Sequence, residues 1–311
     1  MAQPVNAFDS YDARGIREDL SDIIYNISPE ETPLYSKCRK VKASNTYHEW
    51  QTDALRASAD NAHPEGDDTT AESRSPTTRL GNYTQIFKNA VTIPGSDDFL
   101  NKAGRGDEMA YQVLKVAKEQ KLDIEKALFA NQARVSGSSV VARRMAGLGA
   151  WLKTNTSEGS GGSDPTGDGT NARTDGTTRS LTQTLVDTVM QAAWRSGGKV
   201  DTCYLSDTQM NVALGFVGNN NQRNTVKADE VSKVMDVYIT PWGKIMFVPT
   251  RENRSRDLFI LQSDMWKIAV GRGTRNEPLA KTGDSEKRQV ITELTLESCN
   301  EAASAAVFDL S

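Results

Sequence analysis

The chain has 311 residues, of which 37% are hydrophobic and 25% charged, and a formal net charge of -4. That length can bury a substantial core, but the apolar runs are too short for a transmembrane helix and the polar N-terminus carries no secretory signal, so the default compartment is cytoplasmic. An acidic balance leaves no basic footprint for nucleic acid. Cys38, Cys203 and Cys299 are far apart and odd in number, which fits reduced thiols better than a disulfide scaffold, and His48 and His63 are the only histidines.

In chain order, Ile16, Leu20, Ile23, Ile24 and Ile27 recur at helical spacing and predict an amphipathic helix over residues 9 to 27. Its apolar stripe must be buried against the same subunit or a neighbour. Ser28 to Glu31 reads as a capping box, with Pro29 at the first helical position and Pro33 limiting the helix to about a turn. Residues 46 to 53 alternate around Tyr47 and Trp50, and residues 82 to 93 carry Tyr83, Phe87, Val91 and Ile93 at even spacing, so both read as strands. Between them, residues 54 to 81 have few apolar side chains; a structureless loop of that length is improbable in a compact domain. A long hairpin reaching away from the body is the better reading.

Residues 107 to 135 form the longest helical pattern, without Gly or Pro. Ala110, Leu114, Ala117, Ile124 and Leu128 share one face and predict a core-facing stripe, with Asp107 and Glu108 at the N-terminus and Lys115 to Glu119 as an i,i+4 pair. Leu148, Ala150, Trp151 and Leu152 then suggest a buried strand. Residues 155 to 179 are nearly all Gly, Ser, Thr, Asp and Asn, a flexible surface loop by composition. A helix over 180 to 195 with Leu185, Val189, Ala193 and Trp194 on one side, a strand at Cys203 to Leu205 and a helix capped by Ser206 outline an α/β lobe. Met235, Val237 and Ile239 alternate ahead of a turn at Pro241-Trp242-Gly243, and further strands are expected at 258–261, 265–270, 290–297 and 306–310.

Two patterns could carry chemistry. Ser196, Lys199 and Lys281-Thr282-Gly283 have the residue types of serine acyl-transfer enzymes. Such a serine should open a helix with the lysine one turn later, whereas Ser196 and Lys199 follow a helix stop at Gly197-Gly198, so a catalytic set is not expected. Asp164, Thr166, Asp168, Gly169 and Asp175 occupy positions of a calcium-loop template, but no helix can precede them because Gly159, Gly161 and Gly162 do. A solvated, turn-rich loop is the plainer reading. No nucleotide-binding Gly motif, nucleophile elbow or zinc motif is present, and no cofactor is expected.

Several short motifs in fixed order complete the picture: His48-Glu49-Trp50-Gln51-Thr52-Asp53, Glu65-Gly66-Asp67, Asn82-Tyr83-Thr84-Gln85-Ile86, Asp123-Ile124-Glu125, Ala146-Gly147-Leu148 with Trp151, and Glu277-Pro278-Leu279-Ala280-Lys281-Thr282-Gly283. Together with the order of elements, they make the chain resemble the major capsid proteins of tailed bacteriophages, with their Hong Kong 97-type fold. The resemblance implies an α+β chain with an N-terminal arm (1–40), an extended loop and its base (41–103), a peripheral domain with a spine helix over 107–134 (104–150), an axial α/β domain with the flexible loop 155–179 (151–230), and a strand-rich segment shared between them (231–311). It also implies a virion subunit that assembles with itself as hexamers and pentamers around double-stranded DNA. Its other partners would be a separate scaffolding protein, since only about forty residues precede the loop, a portal and a decoration protein. Contacts between subunits are expected from Ile16, Leu20 and Ile24 of the arm and from Tyr47, Trp50, Arg56, Asp67, Asp68, Arg74, Arg79, Tyr83 and Phe87 of the extended loop. The alternatives are a non-viral protein compartment of the same fold and, from a different class, the serine enzyme above.

Overall fold

The computed structural model describes residues 31–68, 71, 74–98, 106–219 and 237–311. The expected helix with Ile16, Leu20 and Ile24, the start of the 28–31 capping box and Met235 lie outside these residues. The first half of the chain supplies α1 (Pro33–Lys37), β1 (Arg39–Lys42), β2 (Tyr47–Thr52), β3 (Thr78–Tyr83), β4 (Gln85–Pro94), α2 (Gly95–Asp98) and α3 (Glu108–Phe129). The second supplies β5 (Thr156–Ser157), α4 (Gln183–Arg195), β6 (Thr202–Leu205), α5 (Asp207–Ala213), β7 (Val237–Thr240), β8 (Gly243–Pro249), β9 (Leu258–Leu261), β10 (Trp266–Pro278), β11 (Ser285–Ser298) and β12 (Ala305–Val307). The strands form a four-stranded sheet in the order β1-β10-β11-β4, a six-stranded sheet in the order β5-β12-β9-β6-β8-β7, and a separate ribbon of β2 and β3.

The long helix is a single element, as its lack of Gly and Pro requires, and Asp107 caps it by accepting the Ala110 N–H at 3.0 Å. It stops at Phe129, short of the expected 134, because residues 131–134 bond elsewhere: the Asn131 side chain pairs with the Arg173 backbone, and the Arg134 N–H donates to the Gly169 carbonyl. The chain also crosses the helix end so closely that a Cβ on Gly147 would lie 2.2 Å from the Ala130 carbonyl oxygen. Residues 145–152 are therefore buried as irregular backbone with a 3₁₀ turn at Leu148–Ala150, not as the expected strand.

The predicted stripe holds over the second half of α3, where Ile124 and Leu128 are buried, and fails over the first, where Leu114 is 65% exposed and Ala110 lies in solvent. There the helix runs beyond the apolar core onto the polar outer part of the β10–β11 hairpin. Midway, Gln120 joins helix to sheet: its amide donates to the Phe87 and Val290 carbonyls at 3.0 Å each, and its oxygen accepts the Thr292 hydroxyl at 2.8 Å.

Strand periodicity of two splits the six-stranded sheet into two apolar faces. Tyr204, Phe259, Leu261, Ala306 and Phe308 face the end of α3, where the Phe129 ring lies 5.6 Å from Tyr204 and 5.9 Å from Phe259. Cys203, Leu205, Tyr238, Ile245, Phe247 and Ile260 face Val186, Val189, Met190 and Ala193 of α4. Trp194, expected on that inner side, is 54% exposed and packs at 5.2 Å on Trp242, because it stands one residue beyond Ala193 around the helix. The β7–β8 hairpin forms with the register opposite to the expected one: Tyr238 is buried and Ile239 points outward. The segment expected as one strand over 82–93 divides at Thr84, with Tyr83 pairing to Tyr47 and Gln85 to Leu294. Finally, β10 and β11 run further than their apolar residues suggested, through the charged stretch that pairs Arg275 with Ile291 and Pro278 with Arg288.

Candidate interaction surface

The β2–β3 ribbon is a projecting hairpin with a fixed root. Its register runs from Tyr47 opposite Tyr83 to Thr52 opposite Thr78. Asn82 is fully buried and forms the main tie: its amide donates to the carbonyls of Leu296 at 2.9 Å and Ala146 at 3.3 Å, and its oxygen accepts the Ala146 N–H at 2.9 Å. Beside it His48 contacts Glu297 at 3.0 Å, and Glu297 also receives Lys267 at 3.2 Å. The His48 contact, with Lys267 and the Cys299 thiol, outweighs burial and holds the Glu297 carboxyl at about 2. Glu293 is bound by the Thr84 hydroxyl at 2.6 Å, Arg272 at 2.7 Å and Arg143 at 2.8 Å. Burial raises its pKa, but these partners win and the net shift is downward.

The aromatic residues of this region also make contacts within the chain. Phe87 is buried in the chain's own core, Trp50 packs at 5.5 Å on the buried Trp151, and Tyr47 and Tyr83 stack on one another at 4.6 Å. The Tyr47 ring fits against β3 because residue 81 is glycine; a Cβ there would lie 2.6 Å from the ring. Arg134 locks the same spot by donating to the Gly81 carbonyl.

Beyond the root everything changes. Every described residue from 53 to 77 is exposed, and Leu55, its one large apolar side chain, is 99% exposed. Local contacts occur here: His63 bridges Asp67 and Asn61 at 3.0 Å each, Arg56 donates to the Ala57 carbonyl, and Arg79 at the ribbon's edge pairs with Glu49. Asp68 and Arg74 are exposed beside them.

The candidate chemical residues are not brought together. The Ser196 hydroxyl donates to Asn155 at 3.1 Å, the Lys199 N–H donates to Gln262 at 2.8 Å, and Lys281 lines a small cavity of about 60 Å³ with Ile93, Gly95 and Asp284. In the calcium-like segment, Asp164 accepts the Thr156 hydroxyl at 2.7 Å, and Asp175 faces Arg173 at 3.0 Å, Arg256 at 3.2 Å and Arg254. Burial raises the Asp168 pKa, but the Thr166 and Thr170 hydroxyls and the Thr170 N–H hold it at about 2. Among the described residues, no cluster of three or more His, Cys, Asp and Glu is placed to hold a metal.

What the sequence reading missed is the use made of residues 155–179. They fold around Arg173, whose side chain is fully buried, 2.6 Å from Asp257, 3.3 Å from Asp309 and 4.0 Å above the Phe308 ring. Arg256 adds a contact to Asp309 at 2.8 Å. Burial raises the Asp257 pKa against the pull of Arg173 and Arg254, whereas Asp309 is lowered because the Gly159 and Gly176 N–H groups and Arg173 overcome burial. The signal in the sequence was Arg173, one of two arginines amid Gly, Thr and Asp.

A family model described as SU10 major capsid protein matches residues 3–311. A curated major capsid protein of Escherichia phage Phieco32 is 40% identical over 136 residues, which cover 43% of this chain and 38% of that protein's length. Among solved structures, the cyanophage A-1(L) capsid asymmetric unit superposes with a TM-score of 0.69 at 12% identity, covering 97% of this chain and 98% of that one. One from Microbacterium phage Oxtober96 gives 0.63 at 11%, again over 97% and 98%. At such low identity the likeness speaks to the fold alone, and that fold is the α+β Hong Kong 97 type.

Proposed function

Since the chain belongs to the SU10 major capsid protein family, we propose that it is the shell subunit of a tailed-bacteriophage head, assembling with itself as hexamers and pentamers into an icosahedral wall around double-stranded DNA. The observation that carries this reading is the hairpin: a root with buried ties, and a long loop whose described residues from 53 to 77 are all exposed. A segment so built adds little to the fold of one subunit, at about 25 cal/mol per Å² of apolar area buried. It is suited to burial between subunits, and Leu55, Arg56, Asp67, Asp68 and Arg74 are the residues it offers. In this reading α3 and the four-stranded sheet form the peripheral domain and the six-stranded sheet the axial domain. Assembly takes place in the host cytoplasm with a separate scaffolding protein, a portal and a decoration protein as partners. The packaged DNA is met without sequence readout, and the subunit carries no catalytic activity.

The test replaces residues 54–76 with a short glycine turn. The variant should give soluble, folded capsomers with unaltered circular dichroism and no closed particles in sedimentation or electron microscopy. Closed particles of normal size would sink the inter-subunit role, and an unfolded product would show that the loop belongs to the subunit's own fold.

A further inference from the structure

Glu125 is a buried acid that none of the contacts described so far uses. It lies on the inner side of α3 and is 1% exposed, in a position where helical spacing alone calls for an apolar side chain. Its two oxygens are both engaged: one accepts the Leu34 N–H and the other the Tyr35 N–H, each at 2.8 Å. These amides lie in the first turn of α1, where no intrahelical partner exists for them. The Thr32 N-cap makes no side-chain cap hydrogen bond, so Glu125, ninety-one residues away from Leu34, performs the capping instead.

We propose that Glu125 is a proton-sensitive pin that seats α1 on the long helix, holding it with two hydrogen bonds as a carboxylate and with a weaker set as a neutral acid. A carboxylate is acceptor-only at both oxygens, whereas the neutral acid converts one oxygen to a hydroxyl that is a poorer acceptor and carries a proton of its own. The two forms are closely balanced. Burial disfavours the anion and pushes the group up to about 7, against the pull of the two N–H groups; the Glu252 charge pushes the same way as burial, and Lys40 opposes it.

The surroundings leave Glu125 as the group that can switch near neutrality. From the α1–β1 segment it faces Tyr35, the Cys38 thiol, pushed up to about 12 by burial, and Lys40, whose ammonium donates to the Tyr35 and Cys38 carbonyls. From the six-stranded sheet comes Tyr204, raised by burial; Asp201, just before β6, acts on the Cys38 thiol and is bound to Lys37 at 2.9 Å and to Ser263. The tyrosines and the thiol, all raised, are neutral, and Asp201, lowered by Lys37 and Ser263 against burial, is charged, throughout the range in which Glu125 titrates. The long helix and the first described helix meet at this one carboxyl, so its charge sets how firmly α1 is held.

The experiment is hydrogen exchange of the Leu34 and Tyr35 amides in the full-length chain, measured from about pH 5 to about pH 8 and corrected for intrinsic exchange. In the wild type, protection at these amides should fall about fivefold as pH drops through the transition, the effect of one net hydrogen bond. Glu125→Gln, a neutral side chain at every pH, should hold the low-pH level of protection throughout. Glu252→Gln, which leaves the pin in place but removes a like charge, should move the transition to lower pH. Pin protection that does not vary with pH in the wild type, or that varies equally in Glu125→Gln, overturns the proposal. So does a midpoint unmoved by Glu252→Gln, because the titrating group would then be another.

Discussion

Residues 53–77 and 155–179 are both rich in Ser, Thr and Asp and poor in large apolar side chains, and they fold to opposite ends. The described residues of the first are exposed and include the local His63–Asp67 pair, while the second is wrapped around a fully buried guanidinium that reaches Asp257 and Asp309. The difference lies in where the partners sit. Arg173 finds carboxylates more than eighty and more than a hundred residues away, on elements already fixed by the six-stranded sheet. His63 finds Asp67 within its own loop, which orders a turn without attaching it to anything. A polar segment is tied down by one well-placed charge with remote partners, whatever its composition.

The comparison can be broken most forcefully at Arg173. Arg173→Met should destabilise the fold by about 3–5 kcal/mol, because it leaves buried carboxylates without their cation, and urea unfolding would read the loss. If the variant is as stable as the wild type, the 155–179 segment is held by something else. Next comes the root of the other loop. Asn82→Ala strands a buried N–H and two carbonyls and should cost about 2–3 kcal/mol, again by urea unfolding, while shortening 54–76 should leave stability nearly unchanged.

A third test uses acid. Glu297 is held at about 2 in the fold, well below its ordinary value, so it contributes stability above the unfolded-state value and loses it as pH falls through about 2. Glu297→Gln should therefore flatten the fall in thermal midpoint between about pH 5 and about pH 2, and an unchanged acid limb would show that the His48–Glu297 contact contributes nothing. The smallest effect is expected at the exposed tip. Asp67→Ala removes the His63 contact and should change stability by about 0.5 kcal/mol or less.

The sequence was readable where one physical cause acted alone. The unbroken α3, the β7–β8 turn at Pro241-Trp242 and the strands at 258–261 follow from local periodicity and turn chemistry. It misled where tertiary contacts overrode the pattern. Leu114 carries the helical period, but the core ends before it does; Leu148 to Leu152 are apolar enough for a strand, yet close approach at Gly147 forces an irregular path. Charged strands such as the outer half of β10 have no alternation to read, and their pairing comes from β11. The site shows the same division. A projecting loop could be inferred from its poverty in apolar residues, whereas the assignment of Trp50 and Phe87 to the root needed to know that Trp151 and the long helix lie beneath them.

One side chain described earlier bears on how such a subunit resists force. Gln120 holds the long helix to carbonyls on two adjacent strands, β4 and β11, and takes a hydroxyl from the second of them. Apolar packing is tolerant of small slides, since one methyl contact can be exchanged for another along a smooth interface. A buried amide fixed at both its donor and its acceptor end has no neighbouring position in which the same bonds can be made. Under a load acting along the helix axis, Gln120 behaves as a shear pin: the layers stay in register up to a threshold, and beyond it all its bonds must be surrendered together.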